Sequence, residues 1–525
     1  MNCCDLDNRL LKGKVCGISL SDAAMVATSG LLLTASFPKI DWGFLAWVAF
    51  VPFFFSIKDT PPKTSFKLGF LAGMVHYTTL LYWVAGVIHH YGQLPSVLCA
   101  LIFMLLVVYL SLYPGLFAIV ISQLGARSFP CYLTAPFFWV ALEYVRGFFL
   151  SGFPWENLGH SQYNRLNLIQ ISDILGTYGV SALIMAVNAA LFEVWETISK
   201  NRTFAWKPIL GVALVIAGVL TYGTWRIEKI DRAAEAAPKR TIALVQGNID
   251  QSEKWLPAFQ YETLRRYGIL SAAALKADPD LIAWPETALP FYFLHDEDLT
   301  REALELVRTS RVYFVLGSPS FQKTGQGIHY YNSAYLVDPF GKVVGKYDKA
   351  HLVPYGEYVP LKRYFPFLGK MVEAAGDFEP GNKGQVLLWE HKKIGVLICF
   401  EVIFPELARS MVQNGAQLLI NITNDAWFGT SSAPYQHLSM VVFRAVENHL
   451  AVARAANTGI SAFVDPVGRL LDKTPLFQEA IRIRSLPMMN HKSFYARHGD
   501  FFAIGCILMG LAMCIGAFRH RLFLG

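Results

Sequence analysis

Lys393-Ile394-Gly395-Val396-Leu397-Ile398-Cys399-Phe400-Glu401 is a strand running into a lone cysteine. Its apolar residues do not alternate with polar ones, the pattern of a strand buried on both faces of a layered sheet. Pro405 follows, and Pro at the first turn marks a helix over Pro405–Gln413. A cysteine on such a strand-to-helix turn is presented outward. Backbone N–H groups aim at the same spot, which lowers a thiol pKa and builds an oxyanion site. The plainer alternative is a buried cysteine acting as a small hydrophobe.

Working outward, strands and helices alternate. Thr241–Gln246, Asp280–Trp284, Val312–Gly317 and Gln417–Asn421 read as strands, with helices at Tyr261–Lys276 and Leu299–Arg308. Tyr330–Asp338 and Lys342–Lys346 flank a Pro-Phe-Gly turn as a hairpin. A helix from near Tyr435 to Glu447 precedes strands at Val452–Ala456 and Ser461–Asp465. This alternation predicts an α/β layered domain.

The rest of the chain is chemically different. Residues 226–500 hold 31 Lys and Arg and 29 Asp and Glu, whereas the other 250 positions hold only 15 and 10. Overall 54% of the 525 residues are hydrophobic and 16% charged, against about 25% charged in soluble proteins. An ordinary soluble enzyme, a disordered chain and a collagen are excluded. A bilayer is crossed by about 20 apolar residues. Eight stretches read as transmembrane helices: 18–38, 41–57, 66–88, 94–124 (tilted or broken near Pro114), 131–150, 174–196, 208–225 and 501–518. The expected domains are therefore 1–225 (seven helices), 226–500 and 501–525 (the last helix).

Basic residues orient the chain. With the N-terminus inside, the inner segments carry Arg9, Lys12, Lys14, Lys58, Lys63, Lys67, Arg127, Lys200, Arg202, Lys207, Arg519 and Arg521. The short outer loops carry only Lys39, Arg146 and Arg165. Residues 226–500 are thereby placed outside the cytoplasm. Of eight cysteines, Cys399 alone falls in this outer domain.

Two segments supply what a cysteine nucleophile lacks. Trp284-Pro285-Glu286-Thr287 puts a carboxylate just past a strand end, where it can take the thiol proton. Asp348-Lys349-Ala350-His351-Leu352-Val353-Pro354-Tyr355-Gly356-Glu357 puts a lysine and a second glutamate in a Pro/Gly-rich loop. The Lys349 ammonium can stabilise an oxyanion. Each also reads as a surface charge, and His351 is an alternative partner in a Cys–His pair.

Taken in order, WPE, DKxHLVPxGEYVP and ICxE resemble the nitrilase superfamily, with its Glu–Lys–Cys triad and α-β-β-α sandwich. With the membrane helices, nearly the whole chain resembles the apolipoprotein N-acyltransferase family. Phe153-Pro154-Trp155, Gly176-Thr177-Tyr178-Gly179, Val187-Asn188-Ala189, Gln246-Gly247-Asn248-Ile249 and Lys254-Trp255 carry that resemblance, as do Asn424-Asp425-Ala426-Trp427-Phe428-Gly429, Gln436-His437, Arg444-Ala445 and Ala456-Asn457-Thr458-Gly459.

The resemblance implies a polytopic α-helical membrane domain of about eight helices plus a periplasmic nitrilase-like domain, in the bacterial inner membrane. It implies Cys399 as nucleophile, Glu286 as general base and Lys349 as oxyanion stabiliser, with the N–H of Phe400. Glu357, Glu401 and Trp255 match supporting positions. The implied reaction moves the sn-1 acyl chain of a phospholipid, phosphatidylethanolamine in particular, to Cys399. The amine of an S-diacylglyceryl-cysteine at an apolipoprotein N-terminus then takes it. No metal, cofactor or nucleic-acid partner is implied, and a monomer is expected. Phe400, Ala433 and His449 depart from the family pattern of Tyr, Gly and Arg. The rival readings are a membrane-anchored nitrilase-type amidohydrolase and a transporter or receptor with a non-catalytic outer domain. Leu289–Leu294 and Tyr364–Leu368 are apolar stretches that could dip into a bilayer as lids.

Overall fold

The computed structural model describes residues 14–15, 18–92, 95–125, 129–200, 206–325, 327–358 and 377–524. Tyr364–Leu368, Cys3, Cys4, Cys16 and Arg127 lie outside the described residues. The chain divides into two compact units, one of 1–85, 95–224 and 500–525, the other of 86–94 and 225–499.

The first unit is helical, and each of the eight apolar stretches contains helix. Ser96–Gly125, Thr177–Ser199 and Trp206–Ala236 are each long and apolar enough to cross a membrane. Pro62–Leu80 and Trp83–Gly92, bent by 55° at the break, make a fourth if they form one span. Of the remainder, Phe501–Leu524 runs 24 residues, Leu20–Ala35 and Cys131–Arg146, at 16 residues each, fall short of the ~20 a crossing needs, and 41–57 splits into a 3-10 turn, Gly43–Trp47, and a helix, Val51–Ile57. Asn188 tends that split, accepting Phe50 N–H at 2.8 Å and donating to the Ala46 carbonyl at 2.8 Å. Ser96–Gly125 continues unbroken through Pro114. The prolyl turn is instead where a neighbour approaches. A Cβ on Gly69 of Pro62–Leu80 would meet the Pro114 carbonyl and stand 2.7 Å from Ala118 Cβ. Small residues permit such close helix packing in membranes.

The second unit is two six-stranded sheets with helices outside them. Its elements are β1 (Lys239–Gln246), α1 (Pro257–Ala274), β2 (Leu281–Ala283), α2 (Glu297–Ser310), β3 (Tyr313–Thr324), β4 (Gly327–Val337), β5 (Val343–Asp348), β6 (Val386–Trp389), β7 (Lys392–Ile398), α3 (Pro405–Gln413), β8 (Leu418–Thr423), α4 (Ala433–Asn448), β9 (Val452–Ala456), β10 (Ala462–Val464), β11 (Leu470–Leu471) and β12 (Ala480–Pro487). One sheet runs β12-β1-β2-β3-β4-β5 and the other β11-β10-β9-β8-β7-β6. β1, β2 and β3 are parallel to one another, as are β7, β8 and β9, which explains apolar runs such as Leu281–Ala283 and Ile394–Ile398. β9 packs against β1, joining the sheets face to face. Ala243, Val245, Ile282, Trp284 and Phe314 of the first sheet and its turns form one core with Leu264 and Tyr267 of α1 and Leu299 and Val307 of α2.

That core also takes Leu289, Phe291 and Phe293. The stretch Leu289–Leu294 is therefore packed interior, and only Leu294, 49% exposed, faces outward. The edge strands β6, β11 and β12 had no counterpart in the sequence reading. They are short or polar, and their pairing comes from the sheet rather than from their own pattern.

Candidate active site

Cys399 follows the last residue of β7 and opens a 3-10 turn, Cys399–Ile403, six residues before α3. Its φ is +51°, a left-handed conformation uncommon outside glycine and costly to hold. Two bonds hold it. Glu401 Oε2 accepts Ile398 N–H at 2.7 Å, and the Cys399 carbonyl lies 3.2 Å from His437 Nε2. The thiol is buried. Burial pushes its pKa up, the Glu286 charge pushes it further, and Lys349 only partly opposes them. The turn therefore does not lower the thiol pKa as expected from a strand-to-helix cysteine, because the site is dry and the nearest carboxylate is close. The resting thiol is neutral and needs a base.

Glu286 sits in the turn after β2. Its Oε1 accepts Asn332 Nδ2 at 2.8 Å and lies 3.5 Å from Lys349 Nζ, and its Oε2 accepts Asn424 N–H at 2.9 Å. Lys349 directly follows β5 and is 1% exposed. Burial would lower its pKa, but the Glu357 and Glu286 carboxylates more than reverse this, so it stays an ammonium. Its Nζ donates to Glu357 Oε1 at 2.9 Å. Glu357 also accepts Asn332 Nδ2 at 2.8 Å and, through Oε2, Val353 N–H at 2.8 Å. Asn332 of β4 thus bridges both carboxylates.

Glu401, although next to the nucleophile in sequence, turns its carboxylate away. Oε1 accepts Tyr347 Oη–H at 2.7 Å, Ala350 N–H at 2.7 Å and His351 N–H at 3.2 Å. Burial raises its pKa to about 7 against these donors. Phe400 packs its ring 5.3 Å from that of Phe404, on which His351 also lies at 3.7 Å. Burial and the Lys349 charge lower His351 to about 4, so it is neutral and packed on aromatic rings. Trp255 Nε1 is buried with no acceptor among the described residues. Ala433 and His449 bound α4, and His449 takes a left-handed φ of +55°.

A second network lies behind the cysteine. His437 Nδ1 is 3.1 Å from Asp425 Oδ1 and 3.0 Å from an Arg454 nitrogen, and Arg454 reaches Asp425 Oδ2 at 2.7 Å. Burial and Arg454 lower the His437 pKa. The neutral ring then donates from Nε2 to the Cys399 carbonyl. Thr423 donates to Asp425 at 2.9 Å.

Asn332, Thr423 and Arg454 escaped the sequence reading. Asn332 carried a signal: an amide between Tyr331 and Ser333, in a strand whose other end is apolar.

Residues 29–190 match the model of the apolipoprotein N-acyltransferase N-terminal domain, and residues 241–493 that of carbon-nitrogen hydrolase. The chain is 43% identical to an apolipoprotein N-acyltransferase of Geobacter metallireducens, over 95% of this chain and 96% of that protein. It is 30% identical to one from Pasteurella multocida, over 94% and 96%. Among solved structures it is similar to Saccharomyces cerevisiae Nit3, a member of branch 10 of the nitrilase superfamily, with 22% identity, a TM-score of 0.39, and coverage of 50% of this chain and 94% of that one. By identity across nearly its whole length, the chain belongs to the apolipoprotein N-acyltransferase family.

Proposed function

We infer that the chain N-acylates lipoproteins through a cysteine thioester. The observation that carries this is the buried Cys399 on its left-handed turn, with the Glu286 carboxylate and the Lys349 ammonium, 3.5 Å apart, acting on its thiol. Glu286 takes the thiol proton, and the sulfur attacks the ester carbonyl of a phospholipid. The ammonium of Lys349 and the N–H of Phe400 stabilise the tetrahedral oxyanion. As the C–O bond breaks, Glu286 returns the proton to the departing lysophospholipid oxygen, leaving an acyl thioester. The neutral amine of S-diacylglyceryl-cysteine then attacks that thioester. Glu286 takes a proton from the new C–N centre and passes it to the leaving thiolate, restoring the thiol and giving the amide.

Glu357 supports this by fixing Lys349, Glu401 by tying two loops together, and Trp255 by offering a buried donor. The donor is phosphatidylethanolamine acylated at sn-1, and the enzyme works as a monomer. Residues 1–225 and 501–525 form the eight-helix anchor in the inner membrane, and 226–500 the periplasmic catalytic domain. Family membership supports the reaction, and the basic-residue asymmetry supports the orientation.

Mass spectrometry of enzyme incubated with phospholipid alone tests the chemistry. An acyl group on the Cys399 peptide is expected, and a diacylglyceryl peptide should discharge it as an N-acyl product. Release as free fatty acid, with the peptide untouched, would make the chain a hydrolase. For orientation, a cysteine replacing Lys323 should react with a membrane-impermeant reagent in intact spheroplasts. Reaction only after lysis would reverse the topology.

A further inference from the structure

Lys254 has no part in the chemistry above. It lies before α1 and is 1% exposed. Its Nζ donates to Thr287 Oγ1 at 2.6 Å and to the Glu286 carbonyl at 3.3 Å. Both acceptors belong to the turn that presents Glu286.

That turn is strained. Thr287 has φ +48°, and for a β-branched residue this region is a genuine outlier. Such strain persists only where the surroundings hold it. On one side is Gly317 of β3, where a Cβ would stand 2.7 Å from Thr287 N and 2.8 Å from Glu286 Cα. Gly317 also accepts Leu289 N–H at 3.0 Å. Lys254 makes the other tie.

A neutral donor could make the bond to Thr287 without the cost of burying an ammonium. The two acceptors are neutral oxygens and leave one of three N–H bonds over. The charge therefore serves something else nearby. Two ionisable groups act on it from neighbouring elements, Glu286 from the turn after β2 and Cys399 from the end of β7. Glu286 also faces Lys349, whose Nζ is 3.5 Å from Glu286 Oε1 and 2.9 Å from Glu357 Oε2. Burial lowers Lys254 to about 7, with Glu286 and Cys399 opposing.

We propose that Lys254 is the positioning residue of the base: it locks the left-handed Glu286–Thr287 turn, and its charge stands beside the Glu286 carboxylate and the Cys399 sulfur between which the proton passes. This rests on the reading of Glu286 as base. The two lysines thus divide the work, Lys349 serving the oxyanion and Lys254 the carboxylate.

The test is pre-steady-state release of lysophospholipid by the full-length enzyme, without lipoprotein, from pH 5 to pH 9. Lys254→Met should slow the burst about 10- to 100-fold and move its acid limb up by about half to one pH unit, since a lost positive charge raises a carboxyl pKa. Lys254→Arg, which keeps the charge, should leave the limb in place. Thr287→Val, which removes the acceptor alone, should slow the burst with the limb unmoved. A full-speed burst in Lys254→Met, or a slowed burst with no shift of the limb, overturns the proposal. If Lys254→Met does not fold, a full-speed burst in Thr287→Val, or a displaced limb in a folded Lys254→Arg, overturns it. Glu286→Gln separates the two readings. A full burst there removes the base itself, whereas a dead Glu286→Gln beside a full-speed Lys254→Met removes only the role of Lys254.

Discussion

Glu401 accepts the N–H of Ala350 at 2.7 Å through one carboxylate oxygen while the other accepts that of Ile398. One side chain thereby sets the spacing between the loop carrying Lys349 and the turn carrying Cys399. In Glu401→Gln an amide NH2 must face backbone donors on one side or the other. Losing one charged hydrogen bond of this kind costs about 1.5–3 kcal/mol. The variant should acylate about 10- to 100-fold more slowly with KM for phospholipid little changed. Steady-state kinetics on folded protein decide, and a kcat within twofold of wild type would contradict the tie.

Cys399 should behave as an inert thiol near neutrality. Its pKa is raised by burial and by Glu286, so alkylation by iodoacetamide should keep rising from pH 7 to pH 9 without levelling. Lys349→Met removes a charge that favours the thiolate and should slow alkylation further. Peptide mass spectrometry follows this cysteine among the eight. A plateau below pH 8 would show a thiolate already formed.

Asn332 donates to Glu286 and Glu357 at 2.8 Å each. Asn332→Asp sets a third carboxylate beside them, and like charges raise each other's pKa. The acid limb of acylation should move to higher pH, with the rate at pH 6 falling at least 10-fold. Asn332→Leu should lose rate as well, with less displacement of the limb. An unmoved limb in Asn332→Asp would mean the bridge carries no electrostatic weight.

Arg454 and Asp425 are both fully buried and paired at 2.7 Å. Arg454→Met leaves a carboxylate uncompensated, at a cost of about 3–5 kcal/mol. Burial opposes ionisation of Asp425, but the Arg454 guanidinium holds its carboxyl far below the ordinary range. A depressed carboxyl gives stability that is full above the unfolded pKa near 3.9 and lost as pH falls below it. The wild-type domain should therefore lose thermal stability steeply below pH 4. Arg454→Met should start lower and show a shallower acid slope. Equal slopes in the two proteins would refute the linkage.

The parallel strands around Cys399 and Ile282 announced themselves because burial on both faces forces continuous apolar residues. The three chemical segments were legible only together, through their resemblance to the nitrilase superfamily, since each alone also reads as a surface charge or a buried thiol. What stayed hidden was pairwise geometry. Nothing in a linear string says that Asn332 reaches two carboxylates, or that Glu401 serves backbone N–H groups instead of the cysteine beside it. The thiol is a further case: turn geometry favours a thiolate, burial and the Glu286 charge push the other way, and both depend on distant segments. Membrane helices were legible as apolar runs, while their lengths were set by breaks such as the one Asn188 tends.

Glu286 and Lys349 hang from the ends of β2 and β5 in one sheet, whereas Cys399 hangs from β7 in the other. The acid-base partners and the nucleophile are thus fastened to separate slabs, and the seam between slabs is a mechanical tolerance on the chemistry. A slip of one strand residue, about 3.3 Å, exceeds what a proton transfer can span. Substitutions along that seam can therefore yield a protein that is folded, membrane-bound and silent, with nothing altered at any of the three reacting side chains.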